Sequence, residues 1–124
     1  MKPLITPYTP DKEFFFEEGC YILEMHSCDD DPALSVARCR VPVGVATHWH
    51  RLHGITERYL ITEGEGRVEV GDALKQVVRA GDSVLIPSGV AQRITNTGTT
   101  ELVFLAMCTP RFDVSAFEDM EAGE

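Results

Sequence analysis

Three of the four histidines, the sole tryptophan and a glutamate fall within THWHRLHGITERYL, residues 47–60. Side chains alternate across a β-strand, so a strand here sends His48 and His50 to one face and Trp49 to the other. If that face lines the interior, two imidazoles converge. Imidazole suits zinc, copper, iron and nickel, and a carboxylate extends the range to manganese. Glu57 opens the next strand and can add an oxygen ligand from across a hairpin. His53, next to Gly54, belongs to the connection and is held in reserve as a ligand. Taken alone, H-x-H is also the pattern of two exposed polar groups on a strand.

A second stretch, GDSVLIPSGVAQRITN at residues 81–96, bears on the same question. It reads as a Gly-Asp turn, an apolar strand, a bend fixed by Pro87 and Gly89, and a strand with Gln92, Ile94 and Asn96 on one face. Tyr59 and Ile61 share a face with Glu57, and Ile94 shares one with Gln92. These three are natural walls for a small-molecule pocket, although core packing predicts the same residues.

The elements that must position these groups are strands. Helical periodicity is almost absent. Short runs rich in Val, Ile, Leu and Thr recur instead, broken by Gly, Pro, Asn and Asp. Strands are expected over 19–27, 33–41, 45–50, 57–62, 67–70, 76–79, 83–86, 91–95 and 101–108. Roughly eight to ten strands at this spacing imply an antiparallel sandwich or closed barrel. Residues 1–18 read as an extended arm, because the prolines of TPYTP deny a ladder its donors. Residues 111–124 read as a tail, with a short helix over 113–120.

The two stretches together resemble the cupin superfamily, whose motifs are G-x5-H-x-H-x3-4-E-x6-G and G-x5-P-x-G-x2-H-x3-N. The second is matched at every spacing by Gly81, Pro87, Gly89 and Asn96, with Gln92 at the histidine position. Glu57 and Gly64 match E-x6-G. Three alignments of the remainder are open. One keeps every spacing with Gly44, His50 and Leu52, and loses the second histidine. Another keeps His48 and His50 as the pair, with a longer gap to Glu57 and Pro42 at the glycine position. The third places Arg51 and His53 in the pair. The resemblance implies a single-domain, all-β jelly-roll barrel (double-stranded β-helix) over residues 1–124. It also implies a divalent metal (iron, manganese, nickel, zinc or copper) held in the barrel mouth by His48, His50, Glu57 and Gln92. A neutral amide is a weaker donor than imidazole, so Gln92 implies either a weaker metal site or a hydrogen-bonding role toward a ligand.

Two functions follow from the resemblance. The first is a metal-dependent enzyme of dioxygenase, isomerase or decarboxylase type, acting on a small organic acid, sugar or phenolic compound. The second is a non-catalytic small-molecule binder with a degenerate metal site. A homodimer is expected in either case.

Composition narrows the partners. The 124 residues carry 20 acidic and 11 basic side chains, a net charge of −9. With no basic stripe, nucleic acid and anionic membrane are not expected partners. No apolar run approaches the ~18 residues of a membrane-spanning helix. The first residues show no apolar segment followed by small residues, so a cytoplasmic location is expected. Cys20, Cys28, Cys39 and Cys108 form no C-x-x-C and read as reduced, partly buried thiols. The acids at 29–31 and in the C-terminal tail read as a solvated turn and a frayed end. Trp49 reads as a packing residue, and Arg38 and Arg40 as an outer face.

Overall fold

The structure is a computed structural model that describes residues 1–121. It consists of eleven strands, all paired antiparallel: β1 (Phe14–Phe16), β2 (Cys20–His26), β3 (Ser35–Val41), β4 (His50–Leu52), β5 (Thr56–Glu63), β6 (Glu65–Val70), β7 (Leu74–Arg79), β8 (Ser83–Ile86), β9 (Gln92–Asn96), β10 (Leu102–Thr109) and β11 (Phe117–Asp119). One sheet runs β1-β2-β3-β10-β5-β8 and the other β11-β4-β9-β6-β7. No α-helix is present among the described residues. This is the expected jelly roll, a double-stranded β-helix.

Alternation places the core between the sheets. Tyr59 and Ile61 of β5, Val68 of β6, Ile94 of β9 and Phe104 of β10 all point inward and are nearly solvent-free. Phe104 packs its ring 4.3 Å from that of Tyr59, centroid to centroid. Burying such a ring contributes on the order of 3 kcal/mol. The outer faces carry ion pairs instead. Arg40, for example, reaches Glu13 and Glu101, and Arg38 also lies beside Glu13, so these arginines hold the outer surface and do not line the interior.

Two turns explain motif positions. Gly64 joins β5 to β6 with φ +81°, and a Cβ there would stand 2.5 Å from the Glu101 carbonyl oxygen, so only glycine fits. Asn96 is buried at the end of β9, where its Nδ2 donates to the carbonyls of Val41 and Thr100, both at 2.9 Å, and its Oδ1 accepts from Gly98 N at 3.0 Å. That side chain closes the 96–100 turn onto the barrel.

Three segments differ from expectation. The strand expected over 45–50 is interrupted. Ala46 makes an isolated bridge to Thr95. Thr47 Oγ1 then accepts from Ile94 N at 3.0 Å, standing where a ladder carbonyl would. His48 N turns away to Glu18 O at 2.7 Å, and the regular strand starts only at His50. The helix expected over 113–120 is a 3₁₀ turn at Val114–Ala116, capped by Asp113 accepting from Ser115 N at 2.9 Å, followed by β11. β11 pairs with β4, setting Phe117 opposite Leu52 and Asp119 opposite His50, so Glu118 and Asp119 belong to the sheet rather than to a frayed tail. Glu124 lies outside the described residues. The arm is not extended throughout, since it carries a 3₁₀ turn at Pro10–Lys12 and then β1.

Candidate functional site

His50 opens β4 with 2% of its side chain exposed. Its Nδ1–H donates to the His48 carbonyl at 2.6 Å, which aims Nε2 at Glu18 Oε2, 2.9 Å away. Glu18 reaches this point because the tight turn between β1 and β2 passes through Gly19 at φ +99°, with Gly19 N bonded to Phe16 O at 2.9 Å. Burial disfavours a charge on either group, but each partner outweighs it. The Glu18 carboxylate lifts His50 to a pKa of about 9, and the His50 imidazolium keeps Glu18 below its ordinary value.

Glu57, on the inner face of β5, lies opposite Ile86 and Cys108. Gln92, the first residue of β9, lies opposite His50. Gln92 Nε2 donates to Glu57 Oε1 at 2.8 Å, the Tyr59 hydroxyl donates to Gln92 Oε1, and Cys108 Sγ contacts Glu57 Oε2 at 3.7 Å. Burial first, and then the nearby Glu18 charge, raise Glu57 to a pKa of about 7. The site thus holds a carboxyl that can gain or lose a proton near neutrality and an imidazole that stays charged there.

Both groups face a cavity of about 250 Å³. Its walls are apolar and largely aromatic: Phe14 and Phe16 of β1, Ile22 of β2, Ala106 of β10, and Phe112 and Phe117 near the C-terminal end. The Phe117 ring centroid lies 5.5 Å from that of His50. Glu18, Cys39, Glu57 and Cys108 join His50 in the lining, and no lysine or arginine does.

The structure brings His50, Glu57 and Gln92 together and separates His48 from them. The His48 ring is 44% exposed, and its Nδ1 lies 3.1 Å from Asp119 Oδ2. The alternation that would have paired it with His50 requires a continuous strand, and Thr47 breaks that strand. His53 is exposed, with Nε2 2.7 Å from Glu118 Oε1. Leu52, two residues beyond His50 on the regular strand, is the residue that shares the cavity wall with it. The positions of the H-x-H motif are therefore His50 and Leu52. The expected wall residues are also relocated: Ile61 and Ile94 belong to the core, and Tyr59 meets Gln92 behind the cavity. Trp49 packs outside, under the Arg93 guanidinium at 4.7 Å.

The profile of the cupin domain family matches residues 37–108. The chain belongs to the cupin family. An uncharacterised protein of Methanocaldococcus jannaschii is 30% identical over 98% of both chains. An oxalate-binding protein of Thermotoga maritima is 40% identical over 72 residues, 57% of this chain and 58% of that one. Among solved structures, a predicted oxalate decarboxylase from T. maritima superposes with a TM-score of 0.67 at 30% identity, covering 73% of this chain and 80% of that one. A cupin 2 conserved barrel domain protein from Salinispora arenicola reaches a TM-score of 0.73 at 17% identity, covering 94% and 93%, which shows a shared fold.

Cupins commonly hold a divalent metal within the barrel. In this cupin the motif positions are His50, Leu52, Glu57 and Gln92: one imidazole, one alkyl group, one carboxyl and one amide. Gln92 is engaged at both ends, by Tyr59 and Glu57, and His50 Nε2 is directed at Glu18. Among the described residues no polar atom of this set is left buried without a partner. As arranged, the polar groups satisfy one another in two separate clusters, His50 with Glu18, and Tyr59 with Gln92 and Glu57, an arrangement that suits hydrogen bonding better than a metal coordination sphere.

Glu18 and the phenylalanines were missing from the sequence reading. Their signal is the run FFFEEG at residues 14–19, in which apolar side chains lead straight into an acidic turn.

Proposed function

We propose that this cupin binds a compact neutral organic molecule, phenolic or otherwise hydroxylated, in the aromatic cavity, with His50 and Glu57 placed to exchange a proton with its polar group. The observation that carries this reading is the cavity itself, apolar along most of its wall, with His50, Glu57, Glu18, Glu24, Ser27 and Ser35 as its polar lining. An apolar cavity of about 150 Å³ already admits benzene, so about 250 Å³ accommodates one substituted ring. Charge supports a neutral ligand. An anion entering this space meets Glu18, Glu24 and Glu57 against the single imidazole of His50. A hydroxyl group can instead donate to ionised Glu57, or accept from its protonated form.

The second reading is a metal-dependent enzyme acting on a small organic acid. The oxalate-binding and oxalate decarboxylase relatives favour it. In that reading a metal would neutralise the carboxyl groups and receive the acid. Calorimetric titration of chelator-stripped protein with phenol, catechol and oxalate separates the two. Binding of the phenols, weakened by Phe117→Ala and by Glu57→Ala, supports the first reading. Binding of oxalate alone, and only after a divalent metal is added, overturns it in favour of the second.

A homodimer belongs to the same proposal. Leu4, Ile5, Tyr8 and Phe15 of the N-terminal segment are exposed, and a second copy would cover them. Sedimentation of the full chain beside a variant lacking residues 1–9 tests it.

A further inference from the structure

We propose that Cys20, Cys39 and Glu18 form a zinc site separate from the positions marked by the cupin motif. The two sulfurs and a carboxylate oxygen all lie within 4.8 Å of one another. Zn–S bonds of about 2.3 Å and Zn–O bonds of about 2.0–2.2 Å place tetrahedral ligands about 3.5–3.8 Å apart. Cys20 Sγ already stands 3.3 Å from Glu18 Oε1, and the remaining separations, within 4.8 Å, need only shorten toward about 3.8 Å to complete the geometry.

The fold holds these three groups in place. Glu18 and Cys20 flank Gly19, at φ +99°, and their side chains come within reach of Cys39 on β3. In the β2–β3 ladder Ile22 faces Cys39 and Tyr21 faces Arg40, so Cys20 and Cys39 are diagonal neighbours on one face. Such neighbours lie about 7–8 Å apart at Cα, whereas a disulfide prefers about 4.4–6.8 Å. That separation suits two thiolates meeting at one ion better than a direct sulfur–sulfur bond.

The surroundings answer the charge. Zinc displaces one proton from each thiol, so Zn²⁺, two thiolates and the Glu18 carboxylate sum to −1. The adjacent His50 imidazolium offsets that charge. His50 also fixes Glu18 through Oε2, which leaves Oε1 for the metal, the outer-shell arrangement that orients ligating carboxylates. Cys39 and Glu18 lie on the cavity wall, which provides an entry path. Three protein ligands leave the fourth position open toward the cavity, the pattern of zinc sites that take an exogenous ligand. None of this depends on which organic molecule the cavity binds.

The test uses the full chain, reduced and stripped of metal, titrated with Co²⁺ as a probe and then with Zn²⁺ in competition. One cobalt per chain, with thiolate-to-cobalt charge-transfer absorption that zinc abolishes, is the expected result. Cys20→Ser and Cys39→Ser each lower that band by at least half and weaken zinc binding at least 10-fold, and the double variant removes the band. Glu18→Gln keeps the band with weaker binding, and Glu57→Gln and Gln92→Ala leave both unchanged. X-ray absorption of the zinc-loaded wild type provides a reading independent of any variant, with two sulfurs expected at about 2.3 Å. No stoichiometric binding, cobalt without a thiolate band, or binding that depends on Glu57 and Gln92 but not on the cysteines would each overturn the site.

Discussion

Replacing Glu57 with glutamine should change how stability depends on pH, and by an amount the structure sets. Folded Glu57 keeps its proton up to a pKa of about 7, against an ordinary value of 4.5. Between those values the folded state binds more protons than the unfolded chain, so raising the pH favours unfolding. The accumulated cost is up to about 3 kcal/mol by pH 8, approached at no more than about 1.4 kcal/mol per pH unit. Glutamine keeps the volume and the hydrogen bond to Gln92 but cannot ionise. Glu57→Gln should therefore match the wild type near pH 4.5 and exceed it progressively up to pH 8. Urea unfolding followed by Trp49 fluorescence at steps between pH 4.5 and 9 measures the difference. His50 contributes in the same direction, because stability present below its ordinary 6.5 is lost as pH rises to about 9, and this loss should persist in the variant. A gap between wild type and variant that stays constant from pH 5 to 8 would refute the assignment of Glu57 as a buried, proton-holding carboxyl.

Other variants probe the rest of the architecture. His50→Ala strands the Glu18 carboxylate without its partner and should cost roughly 3–5 kcal/mol. Adding Glu18→Gln should recover part of that loss in denaturant unfolding, whereas strict additivity would contradict the pairing. Asn96→Ala leaves the Val41 and Thr100 carbonyls and Gly98 N without their partner. It should destabilise by about 2–3 kcal/mol in the same assay. Gly64→Ala combines a positive φ with the approach to Glu101 O, and should lower thermal stability by at least about 2 kcal/mol. Gly81→Ala, at φ +96° with nothing within 4 Å of the added carbon, should cost about 1 kcal/mol, so equal losses at the two glycines would contradict the close approach at Gly64.

Much of this architecture was readable before any coordinates. Residues 83–86 and the alternating runs over 57–62 and 101–108 each became strands, because turn residues bound them and one face of each is apolar. Gly81, Pro87, Gly89 and Asn96 marked β8, the turn that crosses from one sheet to the other, and β9, which opens with Gln92, and Gln92 does face Glu57. His48 was misplaced because alternation was extended through Thr47. A threonine hydroxyl that replaces one ladder bond leaves no trace in hydrophobic patterning. The helix expected over 113–120 failed for a related reason. Its residues pair with β4, a partner more than sixty positions away, and local propensity carries no information about such pairing. Glu18 went unread because a carboxylate in a turn normally faces water, and only the distant His50 makes its burial tolerable.

Phe117 rests on His50, and the turn bearing Glu18 reaches the same imidazole from the opposite end of the polypeptide. Both lie beyond the 37–108 span that the family profile recognises. Chimaeras that exchange only the termini between relatives should thus transfer ligand preference while the shared scaffold stays intact. By the same token, a purification tag fused close behind Phe117 should disturb the packing of that ring on His50.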